Sequence, residues 1–497
     1  MKRIACRSAY IAGVGCILTA LWVDLGDRRP CRAGGDESIA ADTKVASAIR
    51  LLEASIQSQI SYEGIPSVSI GIVYEQRLVW SRGFGYTDLV ARTVASPTSL
   101  YRIASMTKPF TATAIMQLRD EGKLRLEDSL VSHLPWFAIR SEYTDSAPIT
   151  IWQVLTHTAG LPRESVGPYW ADQNLPSRDQ MLAALPSQQI ILRPGTHFKY
   201  SNLGYALLGE VITTVAHESY AGYLDHHILK PLRMTDTYVD SDPEVRRRVA
   251  VGYGRRLPGQ AARSPIPFTD SRALAPAATL TSTVVDLARF TSLQFESADV
   301  PVPNPVLKPA SIEEMQRVQW MESDWSTAWG LGFGVWRRNG RTIVGHGGGI
   351  GGYSSQLLLC PEDKIGVIVL TNADDGRAGS LANEAFDWVG PAILDAAARR
   401  RPTPILPTSD WNAYVGVYRS EWNDLQVVEL NGQLAIIDPT SEEPASQMYR
   451  LTPAGKHTFH QSLVGGRGGE LIIFEPGPSG KARGFRQGAN YYERVGP

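Results

Sequence analysis

Residues 105–108 read Ser105-Met106-Thr107-Lys108, and an apolar, helix-like run follows them up to Leu118. Residues three apart share one face of a helix, so the Lys108 amine can lie beside the Ser105 hydroxyl. The positive end of the helix dipole and the free N–H groups of the first turn favour a developing oxyanion. A lysine whose pKa is lowered can then accept the serine proton. An N-cap serine followed by a solvated lysine gives the same pattern, so the interpretation depends on motifs elsewhere in the chain.

A second motif, Tyr200-Ser201-Asn202, stands immediately before an apolar helix that is predicted to begin at Leu203. A tyrosine at this place can relay a proton to a leaving group. The Asn202 amide can hold both the Lys108 amine and a substrate carbonyl. A capping serine or asparagine beside a core tyrosine is the alternative interpretation.

A third motif occupies residues 346–349, which read His-Gly-Gly-Gly and directly follow a predicted strand. Glycine lets the backbone pass close to a ligand, and the N–H of Gly349 can join that of Ser105 in an oxyanion hole. His346 is expected to hydrogen-bond Tyr200 or the substrate. A glycine-rich β-turn is the simpler explanation.

The same glycines satisfy the G-x-G-x-x-G pattern of dinucleotide-binding proteins at Gly347, Gly349 and Gly352. That function requires a helix directly afterwards to carry the pyrophosphate. Residues Tyr353–Leu359 are too short and strand-like, and Pro361 would break a helix there. The sequence therefore argues against a dinucleotide site.

The hydrophobic patterns predict an α+β fold: an antiparallel sheet flanked by helices, with a helical subdomain inserted between Ser105 and about Leu293. The predicted strands lie at both ends of residues 38–400 and comprise Ser67–Tyr74, Leu78–Phe84, Gly332–Arg337, Arg341–Val344, Tyr353–Leu359 and Ile365–Thr371. The predicted helices include Thr43–Ile60, Leu203–Ala216, Tyr220–Leu229, Thr283–Leu293 and Leu381–Ala398. Residues 401–407 form a Pro-rich linker. Residues 408–497 contain short β runs separated by glycine-rich turns, which predicts a small all-β, barrel-like domain.

The N-terminal residues 1–35 have the charge order of a signal peptide or an uncleaved anchor, with a basic start followed by an apolar run from Ala9 to Val23. We therefore expect an exported protein, periplasmic or extracellular, that contacts a membrane only through this segment. The 49 basic and 50 acidic residues nearly cancel, which argues against nucleic acid as a partner. Cys360 is the one cysteine beyond the N-terminal segment, so no disulfide framework or cysteine metal cluster is expected.

Taken together, the three motifs resemble those of the serine β-lactamase and penicillin-binding-protein superfamily. The Tyr-x-Asn form of the second motif is similar to the class C β-lactamase branch, which includes D-aminopeptidases, carboxypeptidases and esterases. Residues Leu155–Pro162, Pro231–Met234 and Gly345–Ser354 resemble further blocks of that branch. The last domain resembles the lipocalin-like β domain appended to some of these hydrolases.

The resemblance implies a role for each motif residue. It implies Ser105 as nucleophile, Lys108 as base or charge partner, Tyr200 as general acid and base, Asn202, His346 and Gly348 as positioning or substrate-binding residues, and the N–H groups of Ser105 and Gly349 as the oxyanion hole. It implies no metal and no cofactor, and it gives His157 a structural role. His346 stands where β-lactamases carry a lysine that binds a substrate carboxylate, which disfavours efficient antibiotic hydrolysis.

The function expected from the sequence is a metal-independent serine hydrolase that forms an acyl-enzyme with a small-molecule or peptide substrate. The chemistry would be that of an amidase, peptidase or esterase. A class C-type β-lactamase and a non-turnover penicillin-binding sensor or scaffold remain alternatives. The sequence contains neither the G-x-S-x-G elbow of α/β-hydrolases nor the H-E-x-x-H motif of zinc hydrolases, which excludes those two classes. The substrate and the oligomeric state stay open.

Overall fold

The computed structural model describes residues 37–165, 175–239, 242–257, 259–260, 262–297, 305–400, 411–446, 448–462 and 468–496. The predicted signal or anchor segment, residues 1–35, and the predicted linker, residues 401–407, lie outside the described residues. Within the described ranges, no helix has both the length and the apolar character needed to cross a membrane.

A nine-stranded antiparallel sheet forms the centre of residues 37–400. Its strands run in the order β3-β2-β1-β11-β10-β9-β8-β7-β6, and β4 and β5 pair with each other in a separate ribbon. The strands are β1 (Ser67–Tyr74), β2 (Arg77–Asp88), β3 (Thr93–Val94), β4 (Tyr101–Arg102), β5 (Thr281–Ser282), β6 (Trp320–Met321), β7 (Ala328–Trp329), β8 (Gly334–Arg338), β9 (Arg341–Ile350), β10 (Tyr353–Cys360) and β11 (Ile365–Thr371).

Most of the helices lie between β2 and β6 in the chain and form the inserted subdomain. The α-helices among the described residues are α1 (Glu37–Ala40), α2 (Thr43–Glu63), α3 (Thr107–Asp120), α4 (Leu130–His133), α5 (Ile151–Leu155), α6 (Arg178–Ala184), α7 (Asn202–Ala216), α8 (Tyr220–Leu224), α9 (Pro243–Arg248), α10 (Ala275–Ala278), α11 (Val284–Leu293), α12 (Pro309–Gln316) and α13 (Ala378–Arg400). The predicted α+β architecture, with an antiparallel sheet and a helical insertion, is confirmed.

Helix α2 shows how the sequence determines these elements. The Asp42 side chain caps its first turn by accepting from the backbone N–H of Lys44, and Gly64 ends it in the left-handed conformation at φ 63°. The residues at helical spacing on one side of α2 are buried against the sheet, as predicted; they are Val45, Ile49, Leu52 and Ile56.

Helices cover both faces of the sheet. Helices α2 and α13 pack on one face, and α11 packs on the other. The α11 contact is close because β1 and β11 present glycines there: a Cβ on Gly71 would lie 2.4 Å from Val284 Cγ1, and one on Gly366 would lie 2.3 Å from Thr291 Cγ2. Coverage on both sides explains why β1 and β11 are buried along nearly their whole length.

The His-Gly-Gly-Gly motif lies inside a strand, which differs from the sequence expectation. The predicted strand ends at Val344, whereas β9 continues to Ile350 and carries residues 346–349 within it. Glycine has a low strand propensity, but here each motif residue is paired with β10, including Gly348 with Ser355. Tertiary pairing therefore overrides the local preference.

The C-terminal domain is a closed eight-stranded barrel, which confirms the predicted barrel-like domain. Its strands are β12 (Gly416–Arg419), β13 (Asp424–Leu430), β14 (Gln433–Ile437), β15 (Tyr449–Gly455), β16 (Thr458–Ser462), β17 (Gly468–Pro476), β18 (Ala482–Gln487) and β19 (Asn490–Gly496). The Pro- and Gly-containing residues Pro453–Gly455 suggest a turn by their composition, but they belong to β15, where an irregular register accommodates the proline.

Aromatic rings fill the interior of the barrel. The Phe474 ring is the centre of this cluster, with ring centroids 5.6 Å from Phe459 and 5.3 Å from Phe485. Tyr414 and Tyr418 contact the same ring at 4.8 and 6.0 Å. The cluster forms a core that is separate from the two cores around the large sheet.

We expect Phe474→Ala to destabilise the barrel by about 3–5 kcal/mol, because it removes a buried ring and leaves a cavity. Thermal unfolding of the full chain, followed by calorimetry, should show a lower transition for the barrel and an unchanged one for the rest. Tyr491→Ala is the control, since that ring lies on the outside of the barrel. Equal effects of the two substitutions would contradict the assignment of Phe474 as the core.

Candidate active site

Ser105 sits in a tight turn between β4 and α3. A 3₁₀ turn covers Ala104–Met106, and Ala104 has φ 48°, which is unusual for a residue with a side chain. The turn is held by Thr107, whose hydroxyl donates to the Ala104 carbonyl at 2.7 Å and accepts from the Leu280 N–H at 3.1 Å. Such a strained backbone is typical of functional sites, and it projects Ser105 at the start of the helix.

The Lys108 amine is fully buried and has three hydrogen-bond partners. Its Nζ lies 3.2 Å from Ser105 Oγ, 2.7 Å from Asn202 Oδ1 and 3.0 Å from the carbonyl oxygen of Ala277. The amide and carbonyl oxygens can only accept, whereas the serine hydroxyl can also donate. When Lys108 is neutral, its lone pair must therefore point at Ser105. This arrangement suits a base that removes the serine proton.

The electrostatic surroundings favour the neutral form of Lys108. Burial lowers its pKa well below the ordinary lysine value, because a charged amine loses its hydration there. Glu164 opposes this shift by its negative charge, and Arg163 adds to it. A buried lysine can consequently act as a base near neutral pH.

Tyr200 contacts both Ser105 and Lys108. It shares a hydrogen bond with Ser105, and the Lys108 Nζ lies 4.7 Å from the centroid of its ring. Burial raises the pKa of the Tyr200 phenol, so the hydroxyl keeps its proton and can donate it. The motif is fixed at the start of α7, where Ser201 Oγ accepts from the N–H of Gly204 at 2.9 Å.

Asn202 connects the lysine to a carboxylate that the sequence did not indicate. Its Nδ2 donates to Glu164 Oε1 at 2.6 Å, while its Oδ1 accepts from Lys108. Glu164 lies two residues after Pro162, the last residue of the block Leu155–Pro162 that resembles the class C branch. Nothing in the sequence at this position indicated a functional residue. Arg163 also reaches the site, with its guanidinium carbon 5.0 Å from the Tyr200 ring centroid.

His346 faces the site but does not hydrogen-bond Tyr200, whose ring centroid is 6.1 Å away. Its Nδ1 lies 2.6 Å from the carbonyl oxygen of Gly347, so Nδ1 carries the proton and Nε2 is the lone-pair nitrogen. Burial, with the positive charge of Lys108 as a smaller cause, lowers the pKa of His346 to about 3. Of the two partners expected from the sequence, Tyr200 is not hydrogen-bonded to His346, and the contact with the substrate stays a prediction. The imidazole is not cationic at neutral pH.

The glycines of β9 bring that strand against the Ser105 turn. A Cβ on Gly348 would lie 2.2 Å from the Ile103 carbonyl oxygen and 2.3 Å from Ser355 Oγ. The two-residue turn between β9 and β10 places Gly349 opposite Ser354 in a pair that does not exchange hydrogen bonds, so the Gly349 N–H points away from β10. That orientation suits an oxyanion donor beside Ser105.

His157 supports the loop that carries Tyr200. Its Nδ1 accepts from the Ser201 N–H at 3.1 Å, and its carbonyl accepts from the Lys199 N–H at 2.7 Å. Its ring centroid is 4.3 Å from that of Tyr200. These contacts agree with the structural role that the sequence analysis gave to His157.

A cavity of about 400 Å³ lies beside this cluster, against β9. It does not surround Ser105. Its wall includes Trp329, Trp336, His346, Gln356 and Asn383, and none of its lining residues is an Asp, Glu, Lys or Arg. Among the residues that the structure describes, no group of three or more His, Cys, Asp or Glu is arranged to hold a metal.

The family model described as Beta-lactamase matches residues 52–387, about two thirds of the chain. The chain belongs to the Beta-lactamase family. The match covers the Ser-x-x-Lys turn, the Tyr-x-Asn motif and the glycine-rich strand, and the members of this family are mostly hydrolases.

Individual relatives agree with the family assignment. Protein flp of Staphylococcus aureus (strain MRSA252) is 30% identical over 329 residues, which cover 65% of this chain and 62% of that protein. The octameric penicillin-binding protein homologue from Pyrococcus abyssi is 25% identical, with a TM-score of 0.61 over 89% of this chain and 99% of its own. A D-stereospecific amidohydrolase from Streptomyces sp. is 24% identical, with a TM-score of 0.55 over 68% of this chain and 97% of its own. This chain thus spans less than two thirds of the length of Protein flp.

We expect Gly348→Ala to slow acylation of Ser105 by about 10²–10³-fold, the cost of losing an oxyanion donor, because the new methyl group pushes β9 away from the Ser105 turn. The measurement is the rate at which a small phosphonate ester labels Ser105, followed by intact mass. Gly347→Ala is the control in the same strand, since its Cβ would approach only the end of the Gln356 side chain, at 3.1 Å. A similar rate for both variants would refute the proposed role of the close contact.

The lowered pKa of His346 also predicts how stability depends on pH. Between the ordinary value of 6.5 and about 3, the unfolded chain binds a proton that the folded chain does not, so acidification favours unfolding. We expect the free energy of unfolding to fall by up to a few kcal/mol as the pH drops through this window. His346→Gln should reduce that fall in denaturant titrations at a series of pH values. The same slope in both proteins would contradict the prediction.

Proposed function

We propose that this chain is a serine hydrolase that cleaves amide or ester bonds in two steps through an acyl-enzyme on Ser105. The observation that carries the proposal is the set of Lys108 hydrogen bonds, which leaves only the Ser105 hydroxyl for the lone pair of the neutral amine. Burying a polar amine costs free energy that an apolar side chain would not. A catalytic role accounts for that cost.

In the first step, the Ser105 oxygen attacks the substrate carbonyl while Lys108 takes the hydroxyl proton. The N–H groups of Ser105 and Gly349 would bind the negative oxygen of the tetrahedral intermediate. Tyr200 then gives its phenolic proton to the leaving nitrogen or oxygen as the bond to the carbonyl carbon breaks. The proton held by Lys108 can return to the phenolate, since both groups contact the Ser105 side chain.

In the second step, a water molecule attacks the acyl carbon. Lys108 is neutral again once its proton has passed to Tyr200, and it is close enough to the ester oxygen of Ser105 to remove a proton from that water. Tyr200 then donates its proton to the serine oxygen as the second intermediate collapses, which releases the acid and restores the serine hydroxyl. In each step Lys108 accepts a proton and Tyr200 donates one, and the proton on Lys108 then returns to Tyr200.

The charge at one position of the site favours substrates with an uncharged leaving group. The pKa of His346 is too low for its imidazole to be cationic at neutral pH. The carboxylate of a β-lactam or of a peptide would therefore find no cation at His346, the position where β-lactamases carry a lysine. The D-stereospecific amidohydrolase from Streptomyces sp. has the same fold, which makes amides the first substrate class to test.

The test is a substrate panel with wild type and Ser105→Ala. It compares aryl esters and D-amino acid amides with a chromogenic cephalosporin, and it follows labelling of Ser105 by a phosphonate. We expect turnover of an ester or amide at least 10²-fold faster than that of the cephalosporin, and none with Ser105→Ala, because the nucleophile is then lost.

Other outcomes select the alternatives. Cephalosporin as the best substrate would favour a class C-type β-lactamase. Stable acylation of Ser105 without release would favour a sensor or scaffold. No labelling of Ser105 by any acyl or phosphonyl donor would overturn the proposal that this chain is a serine hydrolase.

A further inference from the structure

The segment Pro162–Glu164 lies directly against the Tyr-x-Asn motif. Ser201 Oγ donates to the Pro162 carbonyl at 2.6 Å. The Arg163 carbonyl accepts from the backbone N–H groups of Asn202 and Leu203, at 2.8 and 3.2 Å. These bonds satisfy N–H groups at the start of α7 that the helix itself leaves free. The segment is therefore joined to the first turn of the helix that positions Asn202.

The Glu164 carboxylate determines which way the Asn202 amide points. Lys108 presents only N–H donors to this amide, and Glu164 presents only acceptors while it is ionised. A reversed amide would set the NH₂ group against the lysine and the oxygen against the carboxylate. Glu164 thus keeps Oδ1 on Lys108. Its second oxygen, Oε2, is buried and has no hydrogen-bond partner among the described residues.

Arg163 holds the opposite charge next to this carboxylate. Its Nε lies 3.6 Å from Glu164 Oε1, and its guanidinium packs over the Tyr200 ring. The Arg163 side chain is 61% exposed and that of Glu164 only 16%. Solvent and salt therefore screen the arginine more strongly than the glutamate.

We propose that Arg163 and Glu164 act as paired positioning residues, holding the Asn202 amide and the Tyr200 ring against Lys108 and setting two opposite charges beside that network. The proposal rests on the proposed hydrolase function, because it assigns these residues to the proton transfer at Ser105. Neither residue contacts Ser105 itself in the described hydrogen bonds.

Glu164 and Arg163 are the two charged groups that act on Lys108. The pKa of His157 is far below its usual value, that of His346 is about 3, and those of Tyr200 and Tyr205 are raised, so these neighbours are neutral near pH 7. Glu164 raises the pKa of Lys108 and Arg163 lowers it.

The pH dependence of acylation tests the pair. The base must be neutral, so the rate rises with pH through the pKa of Lys108 as it stands in the coupled network. We call the rise of the labelling rate at low pH the acid limb of the pH–rate profile. Glu164→Gln keeps an oxygen that can accept from Asn202 but removes the negative charge that raises the pKa of Lys108. We therefore expect the acid limb to move to lower pH by about half to one unit. Arg163→Gln should move it to higher pH by a smaller amount, and the difference should shrink at high salt.

The double substitution distinguishes the electrostatic effect of the two side chains on Lys108 from a structural effect on the site. If the two charges oppose each other, Arg163→Gln combined with Glu164→Gln should return the acid limb close to its wild-type position. A purely structural effect would not cancel in this way. The control is an opposite-charge pair on the barrel, Arg419 and Asp424, neutralised as Arg419→Gln and Asp424→Asn.

The experiment measures the pseudo-first-order rate of phosphonate labelling of Ser105 from pH 5 to 9 for each variant, beside a thermal melt that checks folding. Opposite shifts in the single variants, cancelled in the double variant, support the proposal. Glu164→Asp, which keeps the charge, should retain most of the wild-type limb even if its rate falls. Unmoved limbs, or shifts of the same sign, overturn this assignment and leave the hydrolase function intact. A wild-type protein that does not label overturns both.

Discussion

The arrangement of the site depends on one constraint, the burial of the Lys108 amine. Its hydrogen-bond partners are two oxygens that can only accept and one hydroxyl. Lys108 obtains its partners from three separate parts of the insertion: its own turn at Ser105, the start of α7 at Asn202, and the backbone of α10 at Ala277. An unpaired amine at this depth would be costly. The three stretches must therefore lie within hydrogen-bond distance of the same amine. The helices of the insertion hold them in these positions.

The sheet contributes the other half of the site through β9. Where β9 contacts the insertion, its residue is Gly348, which has no side chain. The absence of a Cβ at Gly348 lets β9 approach the Ile103 carbonyl, and the Ser355 hydroxyl donates to the same oxygen at 2.9 Å. The Ser105 turn is thus attached to the central sheet through the Ile103 carbonyl. In the proposed hydrolase this contact would serve both stability and activity, because it joins two layers and holds β9 beside the turn that carries Ser105.

The features that could be predicted from sequence are those with local periodicity or fixed spacing. Ser105 and Lys108 are three positions apart, and alternation or apolar runs mark six of the nine strands of the large sheet, all except β3, β6 and β7. The full length of β9 could not be predicted, because its glycines gain their strand geometry from pairing with β10. The Ala277 carbonyl and Glu164 were also missed: a backbone acceptor has no residue signature, and the carboxylate acquires its place only when two distant loops come together. In the barrel, β15, β16 and β18 have no clear alternation of apolar and polar residues, because polar residues surround Pro453 and arginines occur in β18. Their sequences alone therefore do not predict strands.

The packing inside the C-terminal barrel limits what that domain can do. Eight strands enclose a space that either holds one small ligand or is filled by side chains. Here the buried rings of Phe459, Phe474 and Phe485 contact one another in the interior of the described barrel. A ligand that entered the barrel would have to displace these rings. A lipocalin-like outline is therefore not by itself the sign of a carrier.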